Sequence, residues 1–119
     1  MNENHQKIWQ AVQKIPEGYV VSYGQIADLA GLPGKARLAG KALGNVPKDG
    51  WRGQAVPWHR VINSQGKISL PIGSQGYQNQ RELLLSEGIN VIGNKIKMSE
   101  YQWQPHISEL LFLFDEPKS

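Results

Sequence analysis

Residues 31–34 (Gly-Leu-Pro-Gly) constrain this sequence more than any other feature, because they separate two short segments with helical patterning. The first segment begins at Ser22 and has Gln25 three residues later, which is the Ser-x-x-Gln capping pattern of helix starts. The glycine can take the left-handed conformation that ends a helix, and the proline prevents the helix from continuing. A further helix is predicted over residues 35–43. Two short helices joined by this turn have the dimensions of a helix-turn-helix, with the later helix in the recognition position.

The other segments predict small elements around this motif. They are an amphipathic helix over residues 3–14, a turn at 63–66 with a return strand at 67–69 that would form a wing, a helix over 80–87 that buries Leu83 and Leu84, a hairpin over 89–98, and an apolar tail at 110–114 that docks on the core or on a partner. The predicted fold is mainly α with small β elements, a winged helix-turn-helix-like DNA-binding domain.

The composition narrows the class of protein. A chain of 119 residues is the size of one domain, so we expect residues 1–119 to form a single unit. The absence of cysteine excludes disulfides, thiolate metal sites and any thiol nucleophile. No apolar run is long enough to span a membrane, and the first residues lack a secretory h-region, so we expect a cytoplasmic protein.

Positive charge is concentrated in the middle of the chain. Residues 14–67 carry eight Lys or Arg against three Asp or Glu, whereas the segment from residue 70 onward has a net charge of −2. A local basic patch of this kind suits contacts with phosphates. A solvated surface without a function is the alternative that charge alone leaves open.

The predicted recognition helix has a stripe of small residues beside two cations. Ala36, Gly40 and Gly44 repeat every four residues, next to Arg37 and Lys41. An interior glycine costs about 0.5–1 kcal/mol relative to alanine, so something is expected to approach this face closely. The approaching group is either another helix or the wall of a DNA groove.

Several motifs together carry a family resemblance. They are Ile15-Pro-x-Gly18, the segment 22–27 (Ser-Tyr-Gly-Gln-Ile-Ala), Ala36-Arg37 with Gly40, Asn45, the segment 56–62 (Val-Pro-Trp-His-Arg-Val-Ile), and Leu84-x-x-Glu87-Gly88. Over roughly residues 5–90 the chain resembles the C-terminal domain of the O6-alkylguanine-DNA alkyltransferases. The family's nucleophilic cysteine is Trp58 here, and we expect no counterpart of the family's N-terminal domain. Both features resemble the alkyltransferase-like branch, which binds alkylated DNA without removing the alkyl group.

The resemblance implies how the helix-turn-helix would bind DNA. Arg37 would enter the duplex through the minor groove and replace an extruded base, while Tyr23 would crowd the 3′ phosphate and help to rotate the nucleotide outward. Ala36, Gly40 and Lys41 would complete this surface. The alternatives are a phosphate contact or surface salt bridge for Arg37, and core packing with a hydrogen-bonded hydroxyl for Tyr23.

The resemblance also implies a lesion pocket with Trp58 at its wall and with Pro57, Asn45 and Val56 around it. The indole could stack on a flipped purine, an interaction worth about 1–3 kcal/mol per base. Because indole is much larger than a thiol, the alternative is a pocket that Trp58 fills. A bulky adduct would fit only if the loop 45–57 stood away from the pocket.

Three further residues match the family's set around the cysteine. His59 and Glu87, with Asn45, have no thiol to activate here, so we interpret His59, Glu87 and Arg60 as a retained polar network that fixes the loop and the helix. No spacing of His and Glu resembles a metal-ligand motif, and no cofactor is expected.

The function predicted from these features is a non-enzymatic sensor. Its partner would be double-stranded DNA that contains O6-alkylguanine, and it would flag the lesion for nucleotide excision repair proteins. We expect a monomer with no membrane association. Two alternatives remain open, namely a helix-turn-helix regulator that reads sequence and a hydrolase in which His59 and Glu87 activate water.

Overall fold

The computed structural model describes residues 2–114 and is mainly helical with two small sheets, as predicted. The elements in chain order are α1 (Glu3–Val12), β1 (Val21–Ser22), α2 (Tyr23–Leu29), α3 (Ala36–Leu43), a 3₁₀ turn (Trp58–Arg60), β2 (Val61–Ile62), α4 (Gln75–Ser86), β3 (Val91–Ile92), β4 (Lys95–Ile96), α5 (Met98–Tyr101) and α6 (Ile107–Phe114). No helix in the described part of the chain is long and apolar enough to cross a membrane.

The predicted helix-turn-helix is formed by α2 and α3. The Ser22 hydroxyl accepts a hydrogen bond from the Gln25 N–H at 3.1 Å, which caps α2. Gly31 ends the helix with φ +78°, and the Leu32 N–H donates to the Ala27 carbonyl at 2.9 Å. The reciprocal half of the capping box is not formed, because the Gln25 side-chain oxygen accepts from the Gln102 amide at 3.0 Å, while its NH₂ group donates to the Trp103 carbonyl.

Helix α1 packs against α2 and α3 and completes the core around the helix-turn-helix. Its buried face contains Ile8, Trp9 and Val12. The Trp9 indole N–H donates to the Ala42 carbonyl of α3 at 2.7 Å. The one polar atom of this buried ring therefore has a hydrogen-bond partner. This packing fixes the axis of α3 and leaves the opposite face of α3 toward solvent.

The segment after the 3₁₀ turn is tied to the helix-turn-helix by a parallel pair of strands. Val21 of β1 pairs with Val61 of β2, and both side chains are buried. The predicted turn at 63–66 forms, and the Asn63 N–H donates to the Lys67 carbonyl at 3.0 Å. β2 pairs with β1 and Lys67 bridges to Lys95, so the residues on either side of the turn are joined to both small sheets, while Ser64 and Gln65 at its tip are exposed.

Helix α4 corrects two predictions. It begins at Gln75 rather than at residue 80, because Ser74 caps it by accepting from the Tyr77 N–H at 3.2 Å. Its buried positions are Tyr77, Gln80 and Leu84, whereas Leu83 is 39% exposed, so the prediction that Leu83 is buried is wrong. Adjacent residues of a helix point about 100° apart, and only Leu84 faces the core.

The predicted hairpin and the apolar tail both take ordered forms. Strands β3 and β4 pair antiparallel around Gly93, which has φ +63°. The tail forms α6, where Leu113 packs against the core but Leu111 and Phe112 are 65% and 84% exposed. The docking of the tail is therefore partial within the described residues.

A hydrogen-bonded network of three side chains joins the segment that follows α1 to the 3₁₀ turn and to the end of α4. Arg60 donates to the Glu87 carboxylate from Nε at 3.0 Å and from Nη2 at 2.8 Å, and its Nη1 donates to the Ile15 carbonyl at 2.8 Å. The Gly18 N–H and His59 Nε2 bond to the same carboxylate. The end of α4, the end of α1 and the 3₁₀ turn are held by one carboxylate.

The network sets the protonation states of its members. Burial alone would raise the pKa of Glu87, but the hydrogen bonds from Arg60, from the Gly18 N–H and from His59 lower it to about 2. Burial lowers the pKa of His59 below its ordinary value, and the charge of Arg60 adds to this effect against the attraction of Glu87. At neutral pH the neutral His59 ring therefore donates its Nε2–H to an ionised Glu87.

We expect Glu87→Gln to lower the free energy of unfolding by about 2 kcal/mol at pH 7, because Arg60 loses its charged partner. The Glu87 pKa is lower in the folded state than its ordinary 4.5, so the contribution of the carboxylate is full above pH 4.5 and is lost as the pH falls toward 2. Urea unfolding at a series of pH values should show the difference between wild type and variant shrinking over that interval.

Glu82→Gln is the matched control, because Glu82 is exposed on the same helix. It should change the free energy of unfolding by less than about 0.5 kcal/mol at any of these pH values. An equal loss in both variants, or a loss at Glu87 that does not depend on pH, would show that the network does not stabilise the fold.

Candidate nucleic-acid interface

The outer face of α3 is open and carries unpaired cations. No atom lies within 4 Å of the position that a Cβ on Gly40 would take, apart from the backbone of its own helix. Another helix therefore does not pack at Gly40 in the described structure, which removes one of the two explanations of the small-residue stripe. Arg37 and Lys41 are exposed, and neither forms an ion pair with any residue between 2 and 114.

A pocket of about 710 Å³ lies beside this face. Its volume is in the range of small-molecule sites and can hold a purine with a substituent. It is lined by Tyr23 from α2, by Gly40, Leu43 and Gly44 from the end of α3, by Val46, Pro47, Lys48, Asp49, Gly50, Ala55 and Val56 from the loop before the 3₁₀ turn, and by Trp58, Leu70 and Gln80. The small residues of α3 therefore form both an open helix face and one wall of the pocket.

Trp58 lies on the wall of this pocket and does not fill it. The side chain is half-buried. The backbone N–H of Trp58 donates to the Val56 carbonyl at 2.7 Å, which tightens the turn that carries the indole. The His59 ring lies edge-on to the indole, with ring centroids 6.3 Å apart. Trp58 is partly exposed and lines the pocket, and its stacking on a base stays a prediction.

Tyr23 shows the core packing and hydrogen-bonded hydroxyl of the alternative interpretation and also lines the pocket, while its role at the 3′ phosphate stays a prediction. Its ring packs partly against the core and lines the pocket, while its hydroxyl is 2.8 Å from the Ser69 hydroxyl. Ser69 lies on the segment that returns after β2, so this bond fixes the phenol at the junction of α2 and the pocket. Sequence reasoning did not identify Ser69.

The loop before the 3₁₀ turn is more ordered than its composition suggests. The side chain of Gln13, the residue directly after α1, donates to the Trp51 carbonyl at 2.9 Å, and Trp51 bridges to Gln54. A Cβ on Gly50 would lie 2.2 Å from the Gln54 carbonyl oxygen, so only glycine fits this turn. The bonds anchor the loop to the end of α1, and residues of this loop line one side of the pocket.

Two residues predicted for the pocket lie elsewhere. Asn45 is exposed, and its side-chain amide donates to the Lys41 carbonyl at 2.8 Å, so it caps the end of α3 rather than contacting His59. Pro57 is half-buried and is not among the residues that line the pocket. His59 and Glu87 do not line it either, because their polar atoms bond to each other and to Arg60.

No group of three His, Cys, Asp or Glu side chains within residues 2–114 is arranged to hold a metal ion. The pocket contains one lysine and one aspartate, Lys48 and Asp49, and its other side chains are apolar, aromatic or amide. This lining suits a flat, largely uncharged ligand.

Comparison with known proteins gives a consistent result. The family described as the DNA-binding domain of 6-O-methylguanine DNA methyltransferase matches residues 3–89. A DNA base-flipping protein of Vibrio parahaemolyticus is 50% identical over 101 residues, which is 83% of this chain and 94% of the relative. Alkyltransferase-like protein 1 of Schizosaccharomyces pombe is 40% identical over 110 residues, 88% of this chain and 98% of the relative.

Solved structures support the same assignment. The crystal structure of S. pombe Atl1 in complex with damaged DNA containing O6-carboxymethylguanine has a TM-score of 0.77 at 40% identity, over 88% of this chain and 98% of that one. Mycobacterium tuberculosis OGT in complex with DNA has a TM-score of 0.62 at 34% identity, over 97% of this chain and 57% of that one. The chain belongs to the 6-O-methylguanine DNA methyltransferase DNA-binding-domain family, and within it resembles the alkyltransferase-like members.

Proposed function

We propose that this protein is a non-enzymatic sensor that binds O6-alkylguanine in duplex DNA and extrudes the damaged base into the pocket beside α3. The observation that carries this proposal is the position of Trp58, which matches the family's nucleophile, on the wall of an open pocket beside α3, the helix that also carries the exposed Arg37. Binding of damaged DNA by S. pombe Atl1 and the name of the Vibrio relative support it.

The open face of α3 explains how the helix could enter the minor groove. Without side chains at Gly40, the helix can approach the sugar-phosphate walls closely, while Arg37 and Lys41 neutralise phosphates. Unstacking a base costs a few kcal/mol. Insertion of the Arg37 guanidinium into the vacated space and stacking of the base on Trp58 would offset that cost.

The chemistry of the site supports binding without alkyl transfer. Alkyl transfer from O6 requires a thiolate-like nucleophile, and the chain has no cysteine. The hydrolase alternative needs a base that faces the lesion. Glu87 is a poor base with a pKa of about 2, and neither Glu87 nor His59 lines the pocket.

Removal of the lesion would then fall to another system. A protein that holds a damaged base without chemistry can only mark it, so we retain the proposal that nucleotide excision repair proteins take over. Arg37, Tyr23 and the whole pocket come from one chain, so one monomer is sufficient to bind one lesion.

We predict that the protein binds a duplex with one O6-methylguanine at least about tenfold more tightly than the same duplex with guanine. Binding to the undamaged duplex should weaken steeply with salt, because it depends on released counterions. Fluorescence anisotropy at two salt concentrations measures both. Equal affinity for the two duplexes would favour the sequence-reading regulator over the sensor.

We predict that Arg37→Ala weakens lesion binding about tenfold, which corresponds to about 1.4 kcal/mol, and removes most of the preference for the lesion. Lys41→Ala is the matched comparison on the same helix face. It should weaken binding to both duplexes alike and reduce the salt slope by about one, as expected for a phosphate contact. If both variants lose affinity uniformly, Arg37 is another phosphate contact and not the inserted residue.

We predict that Trp58→Cys does not restore efficient alkyl transfer, although the thiol would stand beside His59. A pocket wide enough for an indole and an adduct leaves the shorter side chain too far from the alkyl carbon, and a misplacement of about 1 Å costs on the order of a hundredfold. Mass spectrometry after incubation with O6-methylguanine DNA detects the methylated protein. Stoichiometric methylation would mean that the pocket retains the geometry of an alkyltransferase.

A further inference from the structure

Two lysines face each other across the sheet that contains β4. Lys67 and Lys95 lie directly opposite each other, where the segment after β2 runs antiparallel to β4. The residue after each lysine donates its N–H to the carbonyl of the residue before the other lysine, at 2.9 and 2.7 Å. These bonds flank the lysines without joining them, and in this type of pair the opposite side chains come closest. The two lysine side chains therefore leave the backbone at adjacent points.

The pair lies on the outer face of this ladder. Ile68 and Ile96, the residues after the lysines, are 2% and 1% exposed, and side chains alternate between the two faces of an extended chain. Lys95 is exposed, and Lys67 is partly exposed. Lys97 is also exposed and follows Lys95 by two positions with an extended backbone, so it adds a third cation on the same side. We refer to these three residues as the lysine patch.

No acidic side chain in the described structure neutralises the lysine patch. None of its members forms an ion pair with any residue between 2 and 114. The segments around it, 61–81 and 88–99, contain no aspartate or glutamate. Like charges that lie directly opposite each other destabilise a sheet. The patch therefore costs the free protein stability, and it is complementary to an anionic partner.

The lysine patch is continuous with the proposed DNA interface. Ser69, whose hydroxyl is 2.8 Å from the Tyr23 hydroxyl, follows Lys67 by two positions, about 7 Å along an extended chain. The residue between them is buried, so Lys67 and Ser69 face the same way. Because β4 runs antiparallel to this segment, Lys97 lies beside Gln65, on the side away from Ser69. The cations therefore begin next to the edge of the pocket and extend away from it.

The backbone holds the lysine patch in place. Gly66 has φ +80°, and a Cβ there would lie 2.6 Å from the Ile96 carbonyl oxygen, so only glycine allows the two segments to approach this closely. The Tyr77 hydroxyl and the Arg81 Nε of α4 both donate to the Gly93 carbonyl, at 3.1 and 3.2 Å, which fixes the β3–β4 hairpin on α4. A surface that is fixed before binding loses less conformational entropy when it binds.

We propose that Lys67, Lys95 and Lys97 form a second DNA-contact surface, which binds phosphates of the duplex outside the stretch that α3 contacts. This proposal rests on the proposed function, since that function places the duplex against α3 and Tyr23. The phosphates supply the negative charge that the opposed lysines lack. Such contacts carry affinity but no information about the base. The lysine patch therefore lengthens the DNA contact and leaves the choice of lesion to the pocket.

The test variant is Lys67→Gln/Lys95→Gln, measured on duplexes with O6-methylguanine and with guanine. It should weaken binding to both duplexes about three- to tenfold and reduce the slope of log affinity against log salt by about two, with an unchanged preference for the lesion. Lys95→Gln alone should reduce the slope by about one. Lys7→Gln is its matched control, because Lys7 is an exposed lysine of α1, which packs on the inner side of α3, and it should leave the slope unchanged.

The free protein gives a second readout. Lys95→Gln should raise the urea midpoint of unfolding, because it removes the repulsion from Lys67, whereas Lys7→Gln should not. Weaker DNA binding in a variant that is more stable cannot come from damage to the fold. A wild-type salt slope in Lys67→Gln/Lys95→Gln, or a loss of affinity that appears only together with a lower urea midpoint, overturns the proposal.

Phosphate ethylation interference locates the contact. Wild type should be sensitive to ethylated phosphates that Lys67→Gln/Lys95→Gln no longer senses, and these should differ from the phosphates lost in Lys41→Ala. The same set of sensitive phosphates in wild type and in the double variant overturns the proposal. Failure of the sensor function has a different signature, which is equal affinity of wild type for O6-methylguanine and guanine, and the effect of the lysines on the salt slope is measured on either duplex.

Discussion

The site depends on the partly buried ion pair between Arg60 and Glu87. The guanidinium binds the carboxylate from two nitrogens and also the Ile15 carbonyl, so the ends of α1 and α4 are fixed on either side of the 3₁₀ turn. Charged pairs of this geometry are costly to desolvate and specify one arrangement only when every group is satisfied. Here the Gly18 N–H and His59 complete the set. Trp58 directly precedes His59 and Arg60 in the chain, so its position follows from theirs.

The retained network fits the proposed function, in which the site binds a damaged base without alkyl transfer. The resemblance implies that, in enzymes of this family, the residues that match His59 and Glu87 activate a thiol. In this chain they serve the fold: the low pKa of Glu87 keeps it charged for Arg60, and a neutral His59 donates to it. The pocket itself is lined by the Trp58 indole, by apolar side chains and by Gln80.

Local signals predicted the helix-turn-helix well, because Ser22 and Gly31 act through backbone atoms close to them in sequence. The sequence does not predict the start of α4, because its cap, Ser74, lies in a glycine-rich segment whose composition is typical of a loop. Ser69 and Gln80 were missed for another reason. Their roles depend on contacts with residues 19 or more positions away, and no pattern in a single sequence reports such contacts. Asn45 shows the converse, since its motif match placed it in a pocket that it does not line.

The most direct test is a crystal structure of the protein bound to a duplex with one O6-methylguanine. The account predicts that the methylated purine lies in the pocket against Trp58, with the Arg37 side chain in the space that the base has left in the stack. A lesion that remains stacked and paired in the duplex, with α3 bound only to phosphates, would contradict it.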